Sequence, residues 1–120
     1  MEKSLGQIGE EVAVEYLRKN GYKIIERNYR KLWGEIDIIA QKGNKIVFFE
    51  VKTLKGFNGE FSFLPEESIK RNKKIRLKKT IESYLKERKI ISEYQLDVIG
   101  ILFNQEKKCK LRHTKNIVVG

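Results

Sequence analysis

The chain has 120 residues, 40% of them hydrophobic and 35% charged, with a formal net charge of +10. Length and even composition set the expectation of a single domain over residues 1–120 with one core, and the ordered Ile, Val, Leu and Phe runs exclude a disordered chain. A lone cysteine, Cys109, excludes an internal disulfide and a thiolate zinc cluster, and the basic surplus points to an anionic partner.

"MEKSLGQ" lacks the apolar stretch of a signal peptide, and no run approaches a membrane span. A soluble cytoplasmic protein that does not use a membrane is expected. Residues 4–20 read as a helix: Ser4 and Gln7 have capping-box spacing, and Leu5, Ile8, Val12 and Tyr16 share one face. "YKIIERNY" (22–29) reads as a strand, after which "RKLWG" turns the chain, with Trp33 packing the turn. "EIDIIAQ" and "KIVFFEVK" read as two strands joined at Gly43-Asn44, a hairpin turn pair.

Residues 53–63 carry glycine without periodicity and read as a loop. Phe57, Phe61 and Phe63 in it would either stack on bases or pack against the sheet. Pro65 and the glutamates after it open a long helix over about 65–89. "YQLDVIGILF" (94–103) is an apolar strand and "KCKLRH" (108–113) a possible edge strand. A helix between the hairpin and the next strand is the crossover that a parallel pairing needs. The fold class is therefore α/β, a central mixed β-sheet flanked by helices, in the order αβββαβ with room for one more strand.

The hairpin raises the chemical question. A two-residue turn at Gly43-Asn44 sets Asp37 opposite Glu50 and Glu35 opposite Lys52. All four then lie on one face, with Ile36, Ile38, Ala40, Val47, Phe49 and Val51 on the other. Opposed side chains sit roughly 4.5–5.5 Å apart at Cβ, and like charges there are destabilising. The pairing makes sense if a divalent cation lies between the oxygens or if one carboxyl keeps its proton. The alternative is a strand end decorated with charges, Glu35 and Lys52 forming an ordinary ion pair. Mg2+ (or Mn2+) suits a pair of carboxylates completed by water and phosphate. Lys52 would then stand beside the attacked phosphate.

These residues carry a resemblance. "GEID", twelve intervening residues and "EVK" are similar to the D-x(n)-E-x-K signature of PD-(D/E)XK nucleases. More closely, "GQIGEEVAVEYL", "RNYR", "GEIDIIA", "FFEVKT" and "LDVIGI" resemble the YraN-type family of small bacterial proteins, related in fold to archaeal Holliday-junction resolvases. The resemblance implies a restriction-endonuclease-like core. It also implies metal-binding carboxylates at Asp37 and Glu50, a catalytic lysine at Lys52, and a first-helix glutamate, Glu10, completing the metal site. The proline that gives the superfamily its name is absent, Ile36 standing in its place, and the tail "RHTKNIVVG" matches the family only loosely.

Residues 65–91 hold ten basic and four acidic side chains, a concentrated footprint of the kind that binds nucleic acid. Leu77, Ile81, Tyr84 and Leu85 form the buried stripe of this helix, and Lys70, Lys73 and Lys74 continue it toward the N-terminus. Lys73 and Lys70 are expected to face a phosphate near the carboxylates. With Arg71 as an outer contact, Lys70, Arg71, Lys73 and Lys74 form the expected nucleic-acid-binding set; Arg76, Lys78 and Lys79 read as surface charges or outer phosphate contacts. Asp97 is either a further polar contact near the site or a strand-end acid paired with a helical lysine, with a structural role favoured. His113, the only histidine, reads as structural or surface.

The expected function is a metal-dependent DNA endonuclease acting on branched or structured DNA such as Holliday junctions. Homodimerisation is implied by the resemblance alone. The alternative is a non-catalytic nucleic-acid-binding or adaptor protein that keeps the nuclease fold.

Overall fold

The computed structural model describes residues 2–56, 69–106 and 108–118. Helix α1 spans Leu5–Lys19 and opens on the expected capping box: Gln7 N donates to Ser4 Oγ (3.1 Å) and Ser4 N to Gln7 Oε1 (2.8 Å). Two amides that a helix start leaves orphaned are thereby satisfied. Strands β1 (Lys23–Lys31), β2 (Gly34–Lys42) and β3 (Lys45–Lys55) follow, then helix α2 (Arg71–Glu87), β4 (Gln95–Phe103) and β5 (Cys109–Thr114). The edge strand expected near the C-terminus is thus present.

The five strands form one mixed sheet in the order β1-β2-β3-β4-β5. Only β3 and β4 run parallel, with α2 as the crossover between them; the other neighbours are antiparallel. Every residue of β4 is buried, as suits a strand covered on both faces. Adjacent residues of β3 point to opposite sides. Phe48 packs with Leu77, Ile81, Tyr84 and Leu85 of α2, while Val47 and Phe49 pack with Ala13, Val14 and Leu17 of α1. The sheet is therefore sandwiched between the two helices, an apolar cluster on each side.

Helix α2 begins later than the composition suggests. Ile69 is buried and Lys70 is an extended N-cap (φ −71°, ψ 159°), so burial of Ile69 fixes the entry before the first turn. Residues 65–68, and the phenylalanines at 57, 61 and 63, lie outside the described residues. Among the described residues no helix is long and apolar enough to cross a membrane.

The hairpin register is the expected one from Lys42↔Lys45 through Ile38↔Phe49, where the β2–β3 ladder ends. The neighbouring ladders run on, β1–β2 to Lys31↔Gly34 and β3–β4 to Lys55↔Phe103. The sheet thus opens between β2 and β3 just where the acids lie. The expected face assignment also needs correction. Ile36 joins the cluster under α2 whereas Ile38 and Ala40 join the cluster under α1. The pleat reverses between them, at Asp37. Across β1 the residue between Arg27↔Ile38 and Tyr29↔Ile36 is Asn28, which has φ 53°. A left-handed residue inside a strand turns the alternation over, and asparagine tolerates that conformation better than most.

Candidate active site at the split in the sheet

Asp37 does not face Glu50 as a ladder partner. Its Oδ2 accepts the Val51 amide proton at 2.7 Å, a side-chain bond in the gap where the backbone ladder has stopped. Glu50, on the α2 side of β3, is buried and meets Lys73 Nζ at 2.6 Å. Both carboxylates line one cleft of about 300 Å³ with Gly34, Glu35, Lys73, Arg76 and Leu77. The sharing of one cleft by the two acids survives the loss of ladder pairing, because strand divergence aims both into the same opening.

The second wall of the cleft is α2, held close by small residues. A Cβ on Gly34 would lie 2.5 Å from Thr80 Oγ1 and 3.2 Å from the Arg76 carbonyl oxygen. Glycine at the start of β2 therefore lets the helix approach and places Lys73 and Arg76 over the acids. Thr80 is fully buried, its hydroxyl donating to Arg76 O at 2.7 Å. On the α1 side Gly9 makes the tight approach: a Cβ there would overlap Thr53.

Burial, and then the Glu50 carboxylate, push the Asp37 carboxyl up to about 7, against the Val51 hydrogen bond that pulls it down. Glu10 and Glu35 add upward pushes. Burial also raises Glu50, opposed chiefly by Lys73, with Lys52 pulling the same way. Both acids of the cleft are thus held above the usual carboxylate range, chiefly by burial.

The other expected residues divide. Lys52 is half-buried two positions beyond Glu50 and attracts its carboxylate, but is not among the residues that line the cleft. Glu35 is paired with Arg30 at 3.1 Å instead of Lys52. Glu10 is not brought into the cleft. Its Oε1 accepts from Asn28 Nδ2 (3.0 Å) and Arg27 Nε (3.3 Å), and it lines a separate hollow with Gln7, Arg27 and Asn28. The pleat reversal that sends Arg27 toward α1 is what captures it. Among the described residues no three His, Cys, Asp or Glu side chains gather as a metal-binding group. Lys70, Arg71 and Lys74 share the start of α2 with Lys73 but do not line the cleft.

Arg76, expected as a surface charge or an outer phosphate contact, is exposed and lines the mouth of the cleft. The signal lay in Thr80: counting it into the buried stripe carries the helical spacing back through Arg76 and Lys73. Asp97 lies on the α1 side, away from the cleft. It accepts from Gln95 Nε2 (2.8 Å), Asn116 N (3.1 Å) and His113 Nε2 (2.7 Å), so its partners are these and no helical lysine. The other ring nitrogen of His113, Nδ1, shares a hydrogen bond with the Tyr16 hydroxyl at 2.8 Å. Trp33 packs the β1–β2 turn as expected, with Lys79 Nζ 4.6 Å over its ring.

Residues 9–101 match Uncharacterised protein family UPF0102. The chain belongs to the UPF0102 family. A UPF0102 protein of Syntrophomonas wolfei is 42% identical over 117 residues, covering 97% of this chain and 98% of that one. A second, from Persephonella marina, is 44% identical over 112 residues (92% and 90%). Among solved structures, SfsA of Pyrococcus furiosus in complex with Ca2+ matches at TM-score 0.37 and 12% identity, over 90% of this chain and 60% of that one. That likeness decides neither fold nor function.

Proposed function

We propose that this UPF0102 chain is a divalent-cation-dependent endonuclease that hydrolyses phosphodiester bonds in branched or structured DNA, built on a restriction-endonuclease-like core. The observation that supports the reading is the cleft itself. Two carboxylates, the buried Glu50 and the partly buried Asp37, stand where the sheet splits, faced by Lys73 and Arg76. The upward push on both carboxyls, Asp37 to about 7, accords with that reading.

Asp37 and Glu50 fit a hard divalent cation. Mg2+ is commonly held by one or two carboxylates plus waters and substrate phosphate, so the pair suffices without Glu10, whose carboxylate is engaged elsewhere. Bound there, the cation would activate water and offset the charge developing on phosphorus. The chain's own groups have separable tasks. Asp37, fixed by Val51 N–H, and Glu50 supply oxygen ligands. Lys52, half-buried beyond Glu50, orients water or stabilises the transition state. Arg76 offers a bidentate fork to a phosphate. At the start of α2, cations cluster where the helix dipole is positive, and Lys70 makes no side-chain cap. That arrangement costs helix stability and favours an anion. Phosphate contacts of this kind position DNA without reading sequence. A DNA substrate places the protein in the cytoplasm, and a second copy would serve a junction with two equivalent strands.

The test is cleavage of junction, flap, duplex and single-stranded DNA in Mg2+ or Mn2+. Asp37→Asn, Glu50→Gln and Lys52→Met should each lower the rate by about 100-fold or more with unchanged circular dichroism. Cleavage that survives all three substitutions overturns the assignment. Binding without cutting in every condition supports an adaptor protein instead.

A further inference from the structure

We propose that Lys73 is the resident counter-ion of Glu50 and is exchanged for a divalent cation, so that cation and nucleic acid are taken up cooperatively. The proposal rests on the nuclease reading and concerns how its site is loaded. The Glu50 side chain is only 8% exposed, whereas that of Lys73 is 46% exposed. A buried carboxylate left without a partner is costly, and the ammonium 2.6 Å away offsets part of that cost while the cleft is empty. Lysine suits a temporary role: its charge is compact and its four-carbon stem is flexible. Rooted in the first turn of α2, it can leave Glu50 without moving the helix.

The two acids are held differently. Asp37 is tied to a backbone amide, a partner that stays when a cation arrives. Glu50 is tied to a positive charge, which a cation on the same carboxylate would repel. Glu35, the third acid lining the cleft, is engaged with Arg30 at 3.1 Å and offers Lys73 no ready alternative. Lys73 therefore turns to the mouth of the cleft, beside Arg76, where a phosphate supplies its new partner. Nucleic acid that engages Lys73 frees Glu50 for the cation, and the cation frees Lys73 for the nucleic acid. By linkage each must raise the affinity of the other by the same factor.

Ca2+ is the probe, an oxygen-seeking cation of looser geometry than Mg2+, titrated calorimetrically at fixed ionic strength without DNA. Lys73→Met should bind Ca2+ about tenfold more tightly than the parent protein, while Lys74→Met, which removes the same charge one residue away, should shift affinity less than about twofold. Fluorescence anisotropy with a DNA duplex should show Ca2+ tightening binding by about tenfold in the parent and not in Lys73→Met. Equal Ca2+ affinity of parent and Lys73→Met, equal shifts in the two lysine variants, or no effect of Ca2+ on DNA binding by the parent each overturn the exchange. If Asp37→Asn and the parent are alike in failing to bind Ca2+, the nuclease reading falls first and takes the exchange with it.

Discussion

The carboxylate of Asp37 accepts the Val51 amide proton at 2.7 Å, so a side chain bridges β2 and β3 just past the end of their backbone ladder. This one bond spans the opening of the sheet and holds an acid in it. The arrangement has measurable consequences for stability as well as for chemistry.

The first concerns pH. The folded Asp37 carboxyl titrates at about 7 because of burial and Glu50, while in the unfolded chain it titrates near 3.9. Between these values the native state binds more protons, so this group's contribution to stability is greatest at low pH and is lost as pH rises toward 7. Asp37→Asn keeps an oxygen for Val51 N–H and removes the charge. It should raise Tm at pH 8 by the equivalent of about 1–3 kcal/mol and leave Tm nearly unchanged at pH 4. Calorimetric melts at the two pH values check it, and an equal shift at both would refute it.

Arg76 should act on affinity and spare the fold. Arg76→Gln leaves an exposed helix position uncharged and removes one phosphate contact. DNA binding should weaken about threefold to tenfold, and the slope of log affinity against log salt should fall by about one. Lys79→Gln, whose ammonium stacks on Trp33, serves as the control and should leave that slope nearer its original value. Anisotropy titrations across a salt series measure both.

Gly34 holds α2 over the cleft. Gly34→Ala drives a methyl into Thr80 Oγ1 and the Arg76 carbonyl, and should cost about 1–3 kcal/mol in urea unfolding. Adding Thr80→Ala should recover part of that loss, because it removes the nearer clash. A double variant no better than the sum of its parts would show that Thr80 is not the obstacle.

On the opposite face, His113→Ala leaves the fully buried Asp97 with Gln95 and Asn116 but without its ring partner. The expected loss is about 2–4 kcal/mol. Tyr16→Phe should cost about 1 kcal/mol, and a double-mutant cycle with His113→Ala should show coupling between them. Strict additivity would break the chain from Tyr16 to Asp97.

Much of this architecture is local and was therefore legible. Ser4 and Gln7 announce the start of α1, the apolar runs announce β3 and β4, and Gly43-Asn44 fixes the register from Lys42↔Lys45 to Ile38↔Phe49. Extending the buried stripe of α2 toward its N-terminus put Lys73 and Lys70 near the acids; Lys73 meets Glu50, whereas Lys70 does not line the cleft. The exceptions depend on distant partners or on one unusual backbone angle. The pleat reversal arises at Asn28, an unremarkable letter in a strand until its φ is known. It draws Arg27 to the α1 side and with it Glu10, which helical spacing alone left free to join the cleft. Asp97 and His113 lie 16 positions apart, and Tyr16 a further 97 from His113. Periodicity reports which face a residue occupies and is silent about such long-range pairs.

The Tyr16–His113–Asp97 chain also bears on the order of events during synthesis. Asp97 draws its partners from residues 113 and 116, and Ile117 N closes on Leu96 O at 2.7 Å. A nascent polypeptide that has emerged only through β4 carries Asp97 with the Gln95 amide but without the His113 ring and the Asn116 amide. Tyr16 of α1 thus waits for a residue 97 positions later to supply its hydroxyl partner, and β5 completes the bonding of β4.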